Sequence, residues 1–145
     1  MPMSDALFVD TSGWAAFFDA DDPDHMAVAA IVAESISQQR TLVTTNYVLA
    51  EIVALFSSRR MHIPHTEMVT AITLIKTEPD ILIEHIDLAT DEEAWQLVVS
   101  RADKRWSLVD ASSFVVMRRL GITDALTTDH HFEQAGFVRM LRSHP

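Results

Sequence analysis

The chain has 145 residues, is 48% hydrophobic, carries a formal net charge of −10 and contains no cysteine. This size and apolar content suit one folded domain with a real core. The missing cysteines exclude disulfides, thiolate zinc sites and cysteine nucleophiles, and the acidity argues against a protein that coats nucleic acid through a broad basic face. The opening MPMSDALFVD lacks a basic region followed by a long apolar stretch. No apolar run approaches the ~20 residues of a membrane span, so the expected location is the cytoplasm, away from membranes.

Residues 6–10 form an apolar run closed by Asp10, the pattern of a buried strand, and 12–18 read as a short helix. The acidic stretch 19–24 is a turn, with Asp22 as the expected N-cap and Pro23 as the first residue of a helix that continues through 25–39. A short strand at 41–43 leads to helices at 45–59 and 64–76, separated by the Ile63-Pro64 break. Residues 81–86 are a β-branched strand. A helix over 90–104 has Thr90 and Glu93 in capping-box positions. The next helix, 108–120, stops at Gly121. A strand at 124–128, one helical turn at 129–134 and a final strand at 137–141 complete the chain. Short apolar strands alternating with helices predict an α/β domain with a mainly parallel sheet, whose sites gather at the carboxyl ends of strands.

One acid stands out in each of four separated segments: Asp10 in FVDTSGW, Glu51 in TNYVLAEIV, Asp110 in WSLVDASSF and Asp129 in LTTDHHF. A carboxylate in an apolar stretch is costly to bury unless it is paired or bound to a cation. Four brought together repel unless a metal neutralises them. Each acid also has a plainer reading. Asp10 sits where a helix N-cap belongs, although Thr11 or Ser12 can cap in its place. Glu51 lies at the edge of an apolar helical arc with no basic residue three or four positions away, so an edge carboxylate reaching water remains an open reading. Asp110 completes an S-x-x-D capping box with Ser107, yet Phe114 and Met117 on its helix face set it against the core. Asp129 repeats the Asp10 pattern after a strand.

The histidines form no metal set. Pro64 interrupts His62 and His65, and His130 and His131 are adjacent, so a helix points them apart. Zinc and a glycine-rich phosphate loop are not expected. The basic residues Arg101, Lys104, Arg105, Arg118 and Arg119 read as a solvated helix face that can also grip phosphate locally.

The four acidic segments, in this order and across almost the whole chain, resemble the PIN-domain family, and specifically its VapC-type ribonuclease toxins from bacterial toxin–antitoxin pairs. The resemblance implies a three-layer α/β/α domain spanning residues 1–145 and a metal-dependent endoribonuclease. Asp10 and Asp110 match the principal magnesium ligands, with Glu51 and Asp129 supporting them directly or through water; manganese suits the same oxygen donors. Thr11 and Ser12 match the polar pair after the first acid and, with Arg105, are the expected substrate contacts. His130 departs from the family, which commonly has arginine before the histidine matching His131. The resemblance further implies 3′-hydroxyl and 5′-phosphate products, homodimers and a cognate antitoxin. Helices 45–59 and 64–76 carry more apolar residues than one buried face requires, and are the expected antitoxin surface. The alternative is a catalytically weak PIN fold that binds RNA or protein. A phosphorelay receiver would need paired acids near the first strand, and an aspartyl phosphatase an Asp-x-Asp-x-Thr start; Asp10-Thr11-Ser12 offers neither.

Overall fold

The structure, a computed structural model, describes residues 2–61 and 63–142; His62 lies outside them. Five strands, β1 (Leu7–Val9), β2 (Leu42–Thr45), β3 (Ile81–Glu84), β4 (Asp124–Leu126) and β5 (Val138–Arg139), form one sheet in the order β3-β2-β1-β4-β5. Every pairing is parallel. The connecting helices are α1 (Thr11–Phe18), α2 (His25–Ser37), α3 (Asn46–Phe56), α4 (His65–Thr77), α5 (Leu88–Ser100), α6 (Leu108–Leu120) and α7 (His131–Gln134). Chain progression runs one way from β1 to β3 and the other way from β4 to β5. Right-handed crossovers therefore place α1–α4 on one face and α5–α7 on the other, giving the expected three layers. The direction reverses between β1 and β4, and this switch point is where open α/β sheets form their ligand crevice.

The sheet is sealed by fully buried side chains: Leu7 and Phe8 of β1, Trp14 of α1, Phe56 of α3, Phe114 of α6 and Phe132 of α7. The Phe114 ring meets Phe132 edge-on at 5.0 Å, tying α6 to α7. Gly13 brings α1 hard against β4. A Cβ at this position would stand 2.3 Å from the Leu126 carbonyl oxygen. Gly13→Ala should therefore destabilise the protein by about 1–3 kcal/mol or more through forced separation of α1 and β4, read as a lowered denaturant midpoint. An unchanged midpoint would show that α1 does not rest on β4 as described.

Several helix starts differ from the sequence expectation. α2 begins at His25, not Pro23: the Asp22 side chain accepts from the Asp24 N–H at 2.8 Å, but the His25 N–H bonds back to the Asp22 carbonyl as a turn, and the helical ladder starts with the Val28 N–H on the Asp24 carbonyl. α5 begins at Leu88 with Asp87 as cap, accepting from Thr90 N–H at 2.8 Å. The Thr90–Glu93 box does not form, since both side chains receive the Arg119 guanidinium. α5 also stops at Ser100, followed by a 3-10 turn, Ala102–Lys104, and a left-handed Arg105. Helix α3 ends at Phe56; β1, β3, β4 and β5 are shorter than expected and β2 runs on to Thr45, while α6 keeps its expected bounds, with the Ser107–Asp110 capping box and a left-handed Gly121. Among the described residues no helix is long and apolar enough to cross a membrane.

Candidate active site

Asp10 leaves the carboxyl end of β1 and Asp129 follows β4, so the two adjacent central strands deliver both acids to one edge of the sheet. Glu51 arrives from α3 and Asp110 from the first turn of α6. The structure brings all four into one electrostatic neighbourhood. Asp10 is held up to about 7, first by burial and then by the negative charges of Asp110 and Glu51, against partial relief from the nearby Thr11 N–H. Asp110 is raised by burial and by Asp129, with the Ser107 N–H, His131 and the Ser107 hydroxyl opposing.

Each acid is positioned by a neighbour. Asp10 occupies the N-cap position of α1 with extended backbone, yet its side chain caps nothing. Its Oδ2 accepts from the Thr127 hydroxyl at 3.1 Å, and its Oδ1 is buried with no hydrogen-bond partner. Neither Thr11 nor Ser12 replaces it as cap. The Thr11 hydroxyl donates to Glu51 Oε1, and Ser12 Oγ accepts from Thr128 N–H at 3.0 Å. Glu51 is thus a half-buried, hydrogen-bonded carboxylate. Asp110 Oδ2 accepts from Ser107 N–H at 3.2 Å, and His131 Nδ1 stands 3.3 Å away. Asp129 Oδ1 accepts from His131 N–H at 2.9 Å and lies 3.2 Å from His131 Nδ1. His131 Nδ1 thus stands between the last two acids, buried and without a hydrogen bond to either.

An unpaired buried oxygen amid three further acids is the environment of a hard cation, and the donors are the carboxylate oxygens that magnesium or manganese take. The model of the PIN domain matches residues 7–138. The chain belongs to the PIN-domain family. It is similar to the 23S rRNA-specific endonuclease VapC20 of Mycobacterium tuberculosis, being 35% identical over 134 residues that span 92% of this chain and 97% of the relative. It also resembles the Ribonuclease VapC26 of the same organism, at 29% identity over 87% of this chain and 89% of that one. The crystal structure of VapC20, a sarcin–ricin loop cleaving toxin, superposes with a TM-score of 0.81 at 35% identity, covering 93% of this chain and 98% of that one.

On this PIN framework the expected substrate contacts separate. The Thr11 and Ser12 hydroxyls are engaged inside the protein. Arg105 is exposed in the loop two residues before the cap of α6, with no partner among the described residues. Of the other four basic residues in that group, Arg119 is committed to Thr90 and Glu93, Arg101 lies over the Trp106 ring at 5.3 Å, Arg118 over Phe137 at 5.8 Å, and Lys104 stands 3.9 Å from Asp103.

The adjacent histidines do not point apart as a regular helix requires. His130 sits at the N-cap of α7 with helical backbone, its ring 4.5 Å from that of His131, and Asp129, His130 and His131 bring ligand atoms within 4.8 Å of one another. Among the described residues the four acids do not close into so tight a set; magnesium, which keeps several waters and uses one or two carboxylates, does not need them to. Thr127 and His131 are the site residues the acid pattern does not flag. Turn chemistry does point to Thr127, a threonine past the end of β4 whose hydroxyl accepts from the Asp129 N–H two residues on.

Proposed function

We propose that the protein is a magnesium-dependent endoribonuclease, with manganese able to substitute, in which Asp10 and Asp110 are the principal metal ligands and Glu51 and Asp129 support them. The observation that carries this reading is the Asp10 carboxylate: buried, held near neutral pKa, and left with Oδ1 unpaired at the switch point of a PIN-domain sheet. The chain's residues divide the work. Thr127 and Thr11 hold Asp10 and Glu51 in place, Ser107 anchors Asp110, and His131 spaces Asp110 from Asp129. The buried surroundings of Asp10 limit competing water. A divalent ion, when bound, supplies charge stabilisation to the phosphodiester and a more acidic water for in-line attack. Arg105 contributes a phosphate contact beside the cleft. The 23S rRNA specificity of VapC20 makes 23S ribosomal RNA the first RNA to test. The test is cleavage of ribosomal, transfer and messenger RNA by purified protein, with magnesium and with excess EDTA. Cleavage that stops in EDTA and returns with magnesium is expected. Cleavage that persists in EDTA overturns the metal reading, and RNA binding without cleavage in magnesium favours the non-catalytic alternative.

The same reading places the protein in the cytoplasm as one half of a toxin–antitoxin pair. A groove of about 370 Å³ lined by Phe18, Phe56, Ile63, Ala71 and Leu74 runs along α4, supporting an antitoxin segment with apolar anchors and a basic side chain for the acids. Leu88, Trp95 and Val99 form an exposed apolar stripe at helical spacing on α5, supporting contact with a second copy. Co-expression with the neighbouring gene should yield a co-purifying small protein and relieve growth arrest. A monomer alone, with arrest unrelieved, would remove the toxin–antitoxin assignment and leave the nuclease.

A further inference from the structure

Thr127 is fully buried, and its one hydroxyl has three neighbours: Asp10 Oδ2 at 3.1 Å, Ser12 Oγ at 3.1 Å and the Asp129 N–H at 3.0 Å. A hydroxyl has one proton and two acceptor sites. The Asp129 N–H can only donate, so it fills one acceptor site. The Asp10 carboxylate, when ionised, can only accept, so it takes the Thr127 proton. The contact with Ser12 is then decided: Ser12 donates and Thr127 accepts. Ser12 is free to do so because its own oxygen already accepts from the Thr128 N–H at 3.0 Å. The result is a one-way chain, Thr128 N–H to Ser12, Ser12 to Thr127, Thr127 to Asp10, in which both hydroxyl protons and both of Thr127's acceptor sites are used.

This chain joins residues 115 and 117 apart in sequence and spans β1, α1 and the end of β4. Its terminus fixes which Asp10 oxygen is occupied. With Oδ2 held, Oδ1 is the atom left buried and unpaired. Through the Asp129 N–H, the same hydroxyl sets the backbone from which the fourth acid projects. We propose that Ser12 and Thr127 are positioning residues that set metal affinity by presenting Asp10 Oδ1 and aligning Asp129, and that Ser12 does not contact RNA. The inference rests on the metal-site reading above.

The test measures manganese binding by calorimetry, with the metal concentration for half-maximal RNA cleavage and the KM for RNA at saturating metal, in wild type, Asp10→Asn, Thr127→Val, Thr127→Ser and Ser12→Ala. Groups that orient metal ligands typically change affinity by about 10–100-fold. Thr127→Val should weaken manganese binding within that range and raise the half-maximal metal concentration in parallel. Thr127→Ser, which keeps the hydroxyl, should restore both to near wild type. Ser12→Ala should weaken manganese binding in the same direction, with KM for RNA unchanged at saturating metal. If Thr127→Val does not fold, Ser12→Ala on the partly exposed end of the chain still decides the matter. Wild-type manganese affinity in Ser12→Ala or in folded Thr127→Val, with Asp10→Asn impaired, overturns the proposal and leaves the metal site standing. A raised KM for RNA in Ser12→Ala with metal affinity unchanged would assign that hydroxyl to substrate instead. Equal manganese affinity in wild type and Asp10→Asn overturns the metal-site reading itself.

Discussion

Asp10→Asn is expected to lower RNA cleavage by about 10²–10³-fold or more, the scale of losing a group that organises charge at the reacting centre, while raising the melting temperature of the metal-free protein. Both effects follow from the same burial. The ionised Asp10 carboxylate sits among Asp110 and Glu51 in a desolvated place, which holds it up to about 7 against an ordinary 3.8. At pH 8 without metal it must nonetheless ionise or force the fold to bear a proton. At about 1.4 kcal/mol per unit, that shift represents a cost of up to roughly 4 kcal/mol. Asparagine is nearly isosteric, still accepts from Thr127, and carries no charge. A gain of about 1–3 kcal/mol in the metal-free state is expected, a trade of stability for activity typical of active-site acids. Asp110→Asn should abolish cleavage as well but stabilise less, because Asp110 also closes the capping box of α6 and lies beside His131. Calorimetric melting in EDTA beside a cleavage assay reads both. A folded Asp10→Asn that cleaves at the wild-type rate would remove Asp10 from the site.

The parts of this molecule that were legible in sequence are those specified by neighbours along the chain. α6 is the clearest case. Ser107, Asp110 and Gly121 give it local start and stop signals, and its bounds match the expectation at both ends. α5 shows the opposite. Thr90 with Glu93 is the start signal expected from sequence, yet the helix starts earlier, capped by Asp87, and Arg119, on α6, engages Thr90 and Glu93. No local pattern carries that information.

The four acids were legible for a thermodynamic reason: an unpaired carboxylate in an apolar segment is costly enough to demand a purpose. Their supports were not. Thr11 finds Glu51 forty residues away, and Ser12 finds Thr127 across 115; the first pairing follows from β1 lying beside β2, which leads into α3, and the second from β1 lying beside β4. A serine or threonine is cheap to expose, so its sequence context raises no alarm. His131 was masked by its neighbour: adjacent positions on a helix are expected to diverge, but one ligand atom of each ring still comes within 4.8 Å of the other and of Asp129, with His130 itself helical in backbone.

Magnesium should raise the melting temperature of wild type far more at pH 8 than at pH 5.5, and the metal-free protein should show the reverse trend. The folded-state pKa of Asp10 is raised above its unfolded value, so the folded protein binds the extra proton between roughly pH 4 and pH 7. Asp10's contribution to metal-free stability is therefore most favourable below pH 4. It declines as pH rises, by up to about 1.4 kcal/mol per unit, and levels off above pH 7. Asp110 is shifted in the same direction and adds to the decline. A divalent ion inverts this, because it binds the ionised carboxylates and must displace the proton. Its affinity should climb by as much as about tenfold per pH unit up to neutrality, with proton release on binding, and then flatten. Other groups titrate over the same range, so the diagnostic quantity is the difference between wild type and Asp10→Asn. In EDTA, wild type should lose stability relative to Asp10→Asn from pH 5 to pH 7.5, and in saturating magnesium that loss should vanish. A wild-type-minus-variant difference that is flat across this range in EDTA would mean that Asp10 titrates as an ordinary carboxylate, and that the buried acid at the sheet's switch point is not poised for a cation.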